Sequence, residues 1–313
     1  MIETLAKRAQ PAGMVRTCSI WRALEVLGDV PTLLILEAIW LGDARFEAIR
    51  SRTCLSKPLV SERLKSLAQN GIIKRSQYSI RPARFEYALK EKGRALFPVT
   101  MMLLRWEKTW SSRQSTMAVE IVHQDCGEPT TPVPRCAHCG EVVTAREIEW
   151  QEGPGLGWME PNYTRRRQQR NRTAIAESVT LFTDAAEVLG DRWSSLVMRS
   201  AFTGLNKFDE MLVDSAMASN ILSDRLSWLV ERDFLSTKVY QTKPDRYAYY
   251  PTEKALDYLP ILLMLQQWGD RFYAAQEGAP LILRHSSCGA TLSLLAGCSV
   301  CGGELRADNV RLG

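Results

Sequence analysis

An internal duplication constrains this chain more than any other feature. The segment EVLGD at 25–29 recurs at 187–191, and SERL at 61–64 recurs as SDRL at 223–226, both at an offset of 162 residues. The same offset relates Trp106 to Trp268. Because one register holds over most of a module of roughly 125 residues, the chain contains two tandem copies of one unit rather than a short-period solenoid. We refer to them as copy one and copy two.

The composition is that of an ordinary globular protein. The 313 residues are 45% hydrophobic and 24% charged, which excludes collagen-like, coiled-coil and disordered chains and predicts about two domains. The N-terminal MIETLAKRAQPAG lacks the apolar core of a signal peptide, and the apolar stretches are shorter than the ~20 residues of a membrane helix. We therefore expect a cytoplasmic protein without a membrane segment, in which eight cysteines favour metal or redox chemistry over disulfides.

Copy one has the element order of a winged helix-turn-helix. Ser56 is expected to cap the fourth helix, and Asn70-Gly71 to end it. Two short strands follow, joined by a Pro-containing turn, and a last helix closes the unit. The predicted helices are about 20–27, 32–41, 45–52, 57–69 and 92–110, and the predicted strands 72–78 and 84–90.

The sequence thus predicts an α+β fold, mainly α, with two winged helix-turn-helix domains in tandem, each followed by a small Cys3His zinc knuckle. A stretch rich in Gly, Pro and Arg separates the copies and is expected to be a linker. The predicted boundaries are 15–114 for winged helix domain 1, 115–150 for zinc-ribbon-like segment 1, 151–176 for the linker, 177–276 for winged helix domain 2 and 277–313 for zinc-ribbon-like segment 2.

The helix at 57–69 and the hairpin after it carry small polar and basic side chains that suit DNA. Lys and Arg bind guanine edges or phosphates, and Ser bonds to either. Singly, such residues are also typical of a solvated surface, but the helix order, the N-cap and the basic hairpin together favour DNA binding. The candidate DNA-binding residues are Ser56, Lys57, Ser61, Arg63, Lys65, Lys74, Arg75, Arg81 and Arg84 in copy one, and Ser219, Asn220, Ser223, Arg225, Lys238, Lys243 and Arg246 in copy two.

Several short motifs between Cys18 and Trp110 belong together: RAL at 22–24, LG at 27–28, LLIL at 33–36, RF at 45–46, LVSERL at 59–64, RFEY at 84–87 and Gly93. With these motifs the segment resembles the HxlR family of bacterial winged-helix transcriptional regulators. Members usually have a basic-Trp pair where copy two has Arg192-Trp193, whereas copy one has Val30-Pro31.

The resemblance implies double-stranded DNA as the partner and a dimer whose N- and C-terminal helices form the interface. Most members carry one such domain, so the tandem form departs from the family pattern. We expect the two copies to act as an intramolecular pseudo-dimer that reads two half-sites. Homodimerisation into a four-module assembly stays open.

The two copies differ in charge. Residues 19–111 contain 16 Lys and Arg against 9 Asp and Glu, a net charge of +7, and the equivalent residues 181–273 contain 10 against 13, a net charge of −3. Because phosphate neutralisation supplies much of DNA affinity, copy one is expected to be the stronger DNA anchor. The alternative explanation of this charge difference is neutral drift after duplication.

Each copy ends in the pattern His-x2-Cys-x9-Cys-x2-Cys, which suits a structural Cys3His zinc site. His138 competes as a ligand, but Val300 holds the equivalent position, so His123 is preferred. Iron in the same tetrahedron and unmetallated thiols are the alternatives. The sequence thus predicts two Zn²⁺ sites, one per copy: His123, Cys126, Cys136 and Cys139, then His285, Cys288, Cys298 and Cys301.

No catalytic constellation accompanies these motifs. The zinc-deaminase pattern needs a Glu two residues after its His, and Asp125 and Ser287 stand there instead. The three histidines lie in or beside the knuckles, and no phosphate-binding Gly loop is found. We therefore expect the chain not to be an enzyme.

Sensor functions remain as hypotheses. Cys18 is a candidate redox sensor, because some regulators of the resembled family use a cysteine there; a buried structural cysteine is the alternative, and Thr180 is its counterpart. Cys54 is a weaker candidate. Binding of a small ligand between Met101, Trp106, Met264 and Trp268 is a second hypothesis for regulation. The helical spacing of these residues is more typical of a hydrophobic core. The Arg cluster at 165–172 is either a solvated linker or a phosphate contact.

Together these features predict a sequence-specific DNA-binding transcriptional regulator, repressor or activator, in which zinc is structural. The alternative is a protein-interaction or redox- or ligand-sensing module with weak DNA binding. Salt-dependent binding to duplex DNA separates the two, because a docking module lacks it.

Overall fold

The computed structural model describes residues 11, 13–81, 83–111, 119–160 and 180–313. The helices of copy one are α1 (Ser19–Leu27), α2 (Val30–Trp40), α3 (Phe46–Thr53), α4 (Lys57–Gln69), α5 (Glu91–Arg94) and α6 (Phe97–Trp110). Those of copy two are α7 (Thr183–Leu189), α8 (Arg192–Phe202), α9 (Phe208–Ser215), α10 (Ser219–Glu231) and α11 (Glu253–Phe272).

The strands of the first half are β1 (Val15–Arg16), β2 (Ile73–Ser79), β3 (Arg84–Leu89), β4 (Ile121–His123), β5 (Glu128–Pro129), β6 (Pro132–Cys136), β7 (Ile148–Glu152) and β8 (Trp158–Met159). Those of the second half are β9 (Leu235–Gln241), β10 (Arg246–Pro251), β11 (Leu281–His285), β12 (Leu294–Cys298) and β13 (Val310–Leu312).

Both copies are winged helix-turn-helix units, as predicted. In each, three helices lead into a longer fourth helix, α4 or α10, and an antiparallel hairpin follows it, β2 with β3 or β9 with β10. An aspartate caps the second helix of each unit: Asp29 accepts a hydrogen bond from the Thr32 N–H at 2.8 Å, and Asp191 accepts one from the Trp193 N–H at 3.1 Å. These caps satisfy N–H groups that a helix start leaves without partners.

One local expectation is wrong. The last helix of copy one is not a single helix over 92–110, because it breaks before Phe97 and Pro98 lies in the first turn of α6. Proline lacks an N–H and suits that position, although copy two accommodates the equivalent Pro260 inside a continuous α11. Ser56 does hold the N-cap position of α4, but its side chain makes no capping hydrogen bond.

The C-terminal segments of the two copies exchange strands. Strand β4 of copy one pairs with β13 at the end of copy two, and β11 of copy two pairs with β7 of copy one. Between them β6 pairs with β12, and Pro134 lies opposite Ala296, its equivalent in the duplication. The two zinc-ribbon-like segments are therefore interleaved rather than independent, and an approximate two-fold axis passes near this pair.

The predicted linker begins later than expected. Residues 151 and 152 belong to β7, and β8 pairs with β1, with Met159 opposite Val15. Gly155 explains the turn between them, since a Cβ there would lie 2.1 Å from the Gly278 carbonyl oxygen. The arginine cluster at 165–172 lies outside the described residues.

One hydrophobic core runs through both copies. Helix α1 packs on α11, and α6 packs on α7 and α11. Equivalent tryptophans fix the contact: the Trp106 indole N–H donates to the Lys254 carbonyl at 3.0 Å, and the Trp268 indole N–H donates to the Lys92 carbonyl at 2.8 Å. Met101 and Met264 are buried with them, which makes this set core rather than a ligand site.

None of the described helices combines the length and the apolar character that crossing a membrane requires.

Candidate nucleic-acid interface and metal clusters

The outer face of α4 is polar and exposed at its N-terminal end. Ser56, Lys57, Ser61 and Lys65 all have exposed side chains there, as the sequence predicted. In α10 the exposed residues at equivalent positions are Ala218, Ser219, Ser223 and Ser227. At these four positions copy one carries two lysines and copy two carries none.

The hairpins extend this surface. Lys74, Arg75, Arg81 and Arg84 are exposed on the β2–β3 hairpin, and Lys238, Lys243 and Arg246 on the β9–β10 hairpin. The Arg75 guanidinium stacks on the Phe85 ring, with its central carbon 3.4 Å from the ring centroid. Such stacking orders the side chain while it stays at the surface.

Arg63 and Arg225 do not lie on the outer face, so their prediction as DNA contacts is corrected. They are only 8% and 9% exposed. The Arg63 Nε donates to Asp29 at 2.8 Å, and the Arg225 Nε pairs with Asp191 at 2.6 Å. In each copy this ion pair joins the reading helix to the capped start of the second helix, because the buried guanidinium requires a partner.

The sequence reasoning missed a second pair of equivalent contacts, near the turn of each hairpin. The Arg45 guanidinium lies 5.0 Å from the Tyr78 ring centroid, and the Lys207 ammonium lies 5.2 Å from the Tyr240 ring centroid. The sequence did contain a signal for these contacts. Both copies keep a basic residue and a Tyr at these two positions, although Lys57 and Lys65 are replaced in copy two.

The eight predicted metal-ligating residues do come together in two clusters, but the prediction of one site per copy is wrong. Each cluster takes a His-x2-Cys pair from one copy and a Cys-x2-Cys pair from the other, and its ligand atoms lie within 4.8 Å of one another. The clusters are His123, Cys126, Cys298 and Cys301, and then Cys136, Cys139, His285 and Cys288. The strand exchange causes this grouping, because β4 and β12 deliver the first cluster and β6 and β11 the second.

The spacing of the ligand atoms fits a tetrahedral metal. The His123 Nδ1 lies 3.3 Å from the sulfurs of Cys126 and Cys301, and the Cys126 and Cys298 sulfurs are 4.0 Å apart. With Zn–S of ~2.3 Å and Zn–N of ~2.0 Å, tetrahedral geometry requires about 3.5 Å between nitrogen and sulfur and about 3.8 Å between two sulfurs. The His285 Nδ1 lies 3.4 Å from both Cys139 and Cys288. His138 belongs to neither cluster.

The groups around Cys298 favour its thiolate form. Burial raises the pKa of its thiol, but hydrogen bonds from the Thr130 hydroxyl and the N–H groups of Cys301 and Val300 outweigh burial and lower the pKa to about 6. Thiolates are the metal-binding form of cysteine. The pKa of Cys136 is also lowered, because N–H groups of Cys139 and His138 outweigh its burial.

The two clusters differ in the support behind their histidines. The His123 Nε2 lies 3.3 Å from an Asp125 carboxylate oxygen, and Asn309 holds that carboxylate at 2.7 Å. The His285 Nε2 is buried and has no hydrogen-bond partner among the described residues. A carboxylate behind a ligating histidine fixes its tautomer and orientation, so in the part of the chain that the structure describes only the first cluster has this support.

The cysteines outside the clusters lie in contrasting places. Cys18 is only 4% exposed and lies beside the buried Arg199. Cys54 is exposed at the turn before α4, in the left-handed region with φ 52°. The position predicted for a redox sensor is thus buried, and the sensing hypothesis itself stays a prediction.

The fold and this surface define a winged helix-turn-helix protein of the DNA-binding class, built as a tandem pair. The sequence profile of the HxlR-like helix-turn-helix family matches residues 26–115 and again 188–277. The chain therefore belongs to the HxlR-like helix-turn-helix family, and each of its two copies matches that family.

Several relatives of this chain are about one copy long. An uncharacterized HTH-type transcriptional regulator of Mycobacterium tuberculosis is 38% identical over 138 residues, which are 44% of this chain and 87% of the relative. The HTH-type regulator YvaP of Bacillus subtilis, also uncharacterized, is 34% identical over 90 residues, which are 28% of this chain and 83% of that protein.

Among solved structures, a candidate transcription factor of Pseudomonas aeruginosa is 37% identical, with a TM-score of 0.30, over 36% of this chain and 78% of its own. The family match and the relatives in Mycobacterium tuberculosis and Bacillus subtilis support a role in DNA-binding transcription regulation.

Proposed function

We propose that the chain is a sequence-specific transcriptional regulator that reads duplex DNA chiefly with α4 and the β2–β3 hairpin of copy one. One observation carries this proposal. The exposed end of α4 bears Lys57 and Lys65 beside two serines, while the buried Arg63–Asp29 pair holds the helix to α2. A reading helix must be presented rigidly for its side chains to reach base edges.

Copy two has a supporting role in this proposal. Its reading helix keeps the fold but has Ser219 and Ser227 where copy one has lysines, and its domain carries a net charge of −3. Fewer cations neutralise fewer phosphates. The two copies then act as a pseudo-dimer within one chain, engaging two half-sites with unequal strength.

Zinc has a structural role in this proposal. The two clusters supply three thiols and one imidazole each at tetrahedral spacing, and a closed four-ligand site leaves no position for substrate. Because every cluster takes ligands from both copies, bound Zn²⁺ would tie one copy to the other. The residues that would hold it are the eight cluster residues alone.

A second candidate function, protein docking through copy two, rests on its hairpin. Val239, Tyr240, Tyr247 and Tyr250 are all exposed there, and aromatic side chains are enriched at protein interfaces. In that case copy one alone would read DNA.

Selection of the zinc-loaded protein against a random duplex pool, at near-physiological salt, tests the proposal. The expected result is an enriched motif with two unequal half-sites about one or two helical turns apart. A single half-site would favour docking by copy two. Absence of any enrichment would overturn the proposed function.

A further inference from the structure

Two equivalent cavities lie where the copies meet. One is lined by Glu37, Trp40, Phe97 and Phe182 among others, and the second by their counterparts in the duplication, Arg199, Phe202, Leu259 and Ile20. The second cavity is bordered by α1, α8, α11, β7 and β11. Neither cavity belongs to the DNA-reading surface or to a metal cluster.

The cavity beside Arg199 is the larger of the two. Its volume is about 160 Å³, against about 60 Å³ for the cavity beside Glu37. Copy two has Phe202 in place of Trp40, Leu259 in place of Phe97 and Ala201 in place of Ile39, each a smaller side chain. An apolar cavity of about 150 Å³ is large enough to hold a benzene ring.

Each cavity is lined by one buried charged side chain, and the two are of opposite charge. In the smaller cavity both Glu37 oxygens are occupied, one by the Thr180 hydroxyl and the other by the Leu181 N–H, at 2.5 Å each. In the larger one Arg199 is only 4% exposed, and apart from the adjacent Cys18 thiol its Nε and Nη1 have no hydrogen-bond partner among the described residues. The Cys18 thiol lies beside the guanidinium.

The buried charges around Arg199 do not balance. The Arg199 Nη2 donates to Asp214 at 2.5 Å, and the Arg16 Nε pairs with the other oxygen of the same carboxylate at 2.6 Å. Two buried guanidiniums therefore share one carboxylate. Burial alone would raise the pKa of Asp214, but Arg199 and Arg16 outweigh it and hold that pKa below its ordinary value. Among the described residues one of these two positive charges has no counter-ion, which is costly in a buried place.

We propose that the cavity beside Arg199 binds a small aromatic monocarboxylate. The ring fills the space between Phe202, Leu259 and Leu263, and the carboxylate pairs with the free edge of the Arg199 guanidinium. Planar bidentate pairing with a carboxylate is the interaction for which a guanidinium is best suited. The smaller cavity takes no such ligand, because Glu37 lines it.

Calorimetric titration of the full-length protein with benzoate tests the proposal, with benzamide and acetate as comparison ligands. Benzamide keeps the ring without the charge, and acetate keeps the charge without the ring. Benzoate is expected to bind at least tenfold more tightly than either. The titration contains no DNA, so its failure is distinguishable from failure of the proposed regulator function.

Three variants locate the binding. Arg199→Met leaves Asp214 paired with Arg16 and is expected to weaken benzoate binding at least tenfold. Leu259→Phe introduces the residue that copy one has at the equivalent position, keeps the charge and is expected to weaken binding to a similar degree. Thr100→Leu adds a larger side chain to the smaller cavity, where copy two has Leu262 at the equivalent position, and is expected to leave binding unchanged.

Three results would overturn the proposal: equal affinity for benzoate and benzamide, no benzoate binding at millimolar concentration, or full binding by Leu259→Phe. Because Leu259→Phe retains every buried charge, it keeps the test decisive even if Arg199→Met fails to fold.

Discussion

At the residue scale, the two kinds of cation in the reading unit have different tasks. Lys57 is exposed at the start of α4, whereas Arg63, two turns later, is buried against Asp29. The sequence alone did not separate them, because both are basic residues on one short helix. Only the packing of α4 on α2 determines which one faces inward.

We predict that Arg63→Ala lowers the free energy of unfolding by about 3 kcal/mol, because it leaves the Asp29 carboxylate buried without its cation. Lys57→Ala, the matched control on the same helix, is expected to change stability by less than about 0.5 kcal/mol. Urea unfolding measures both. Equal stability of the two variants would contradict the structural role of Arg63.

Glu37 is expected to make stability depend on pH. It is 3% exposed, and burial, the largest influence, raises its pKa from 4.5 to about 7 despite the hydrogen bonds from Thr180 and Leu181. Since the folded pKa lies above the unfolded one, the protonated carboxyl stabilises the fold at low pH, and this contribution is lost as pH rises through about 7.

We predict that Glu37→Gln gains stability relative to the wild type as pH rises from about 5 to about 8, by roughly 2 kcal/mol. The amide keeps an acceptor for the Leu181 N–H without an ionisable group. Thermal unfolding over this pH range measures the difference, with the exposed Glu86→Gln as control. A difference that does not change with pH would refute the assignment.

At the element scale, the helices were predictable and the strand exchange was not. Periodic apolar residues and Gly stops place α1 to α4 in the sequence, and the duplication repeats them at a fixed offset. The ligand pattern predicted eight metal-binding residues, but His123 is as near in sequence to Cys136 as His285 is to Cys298. The ligand spacing therefore favours a metal site within each copy. The exchange of ligands between copies becomes visible only in the structure, where strand β4 pairs with strand β13.

Double substitutions distinguish the two groupings. Cys126→Ser with Cys301→Ser removes two ligands from one exchanged cluster, so we predict that one zinc per chain remains tightly bound. Cys126→Ser with Cys139→Ser removes one ligand from each cluster, and we predict that both zinc ions bind weakly. Mass spectrometry of the metal content after dialysis against a chelator gives the stoichiometry. The reverse pattern would indicate a site within each copy.

At the scale of the whole molecule, the two copies form one structural unit. Helices α6 and α11 pack together, and the Trp106 and Trp268 indoles each bond to the backbone of the other copy. The sequence predicted two copies and a shared interface of terminal helices, but it also predicted a linker whose first part proves to be strand β7.

We predict that the zinc-loaded protein unfolds in one calorimetric transition, because no boundary in the core separates the copies. The ratio of the calorimetric to the van't Hoff enthalpy should be about 1. A ratio near 2, or two resolved transitions, would show that the copies fold independently.

We propose that copy one carries most of the DNA affinity. The most direct test of this proposal compares Lys57→Ala/Lys65→Ala with Lys238→Ala/Lys243→Ala, measuring affinity for the selected duplex over a range of salt concentrations. We predict that the first variant loses at least tenfold in affinity and that its salt slope falls by about 2, one for each lost phosphate contact. The second variant should lose less than about threefold. Equal losses, or a larger loss in the copy-two variant, would contradict the account.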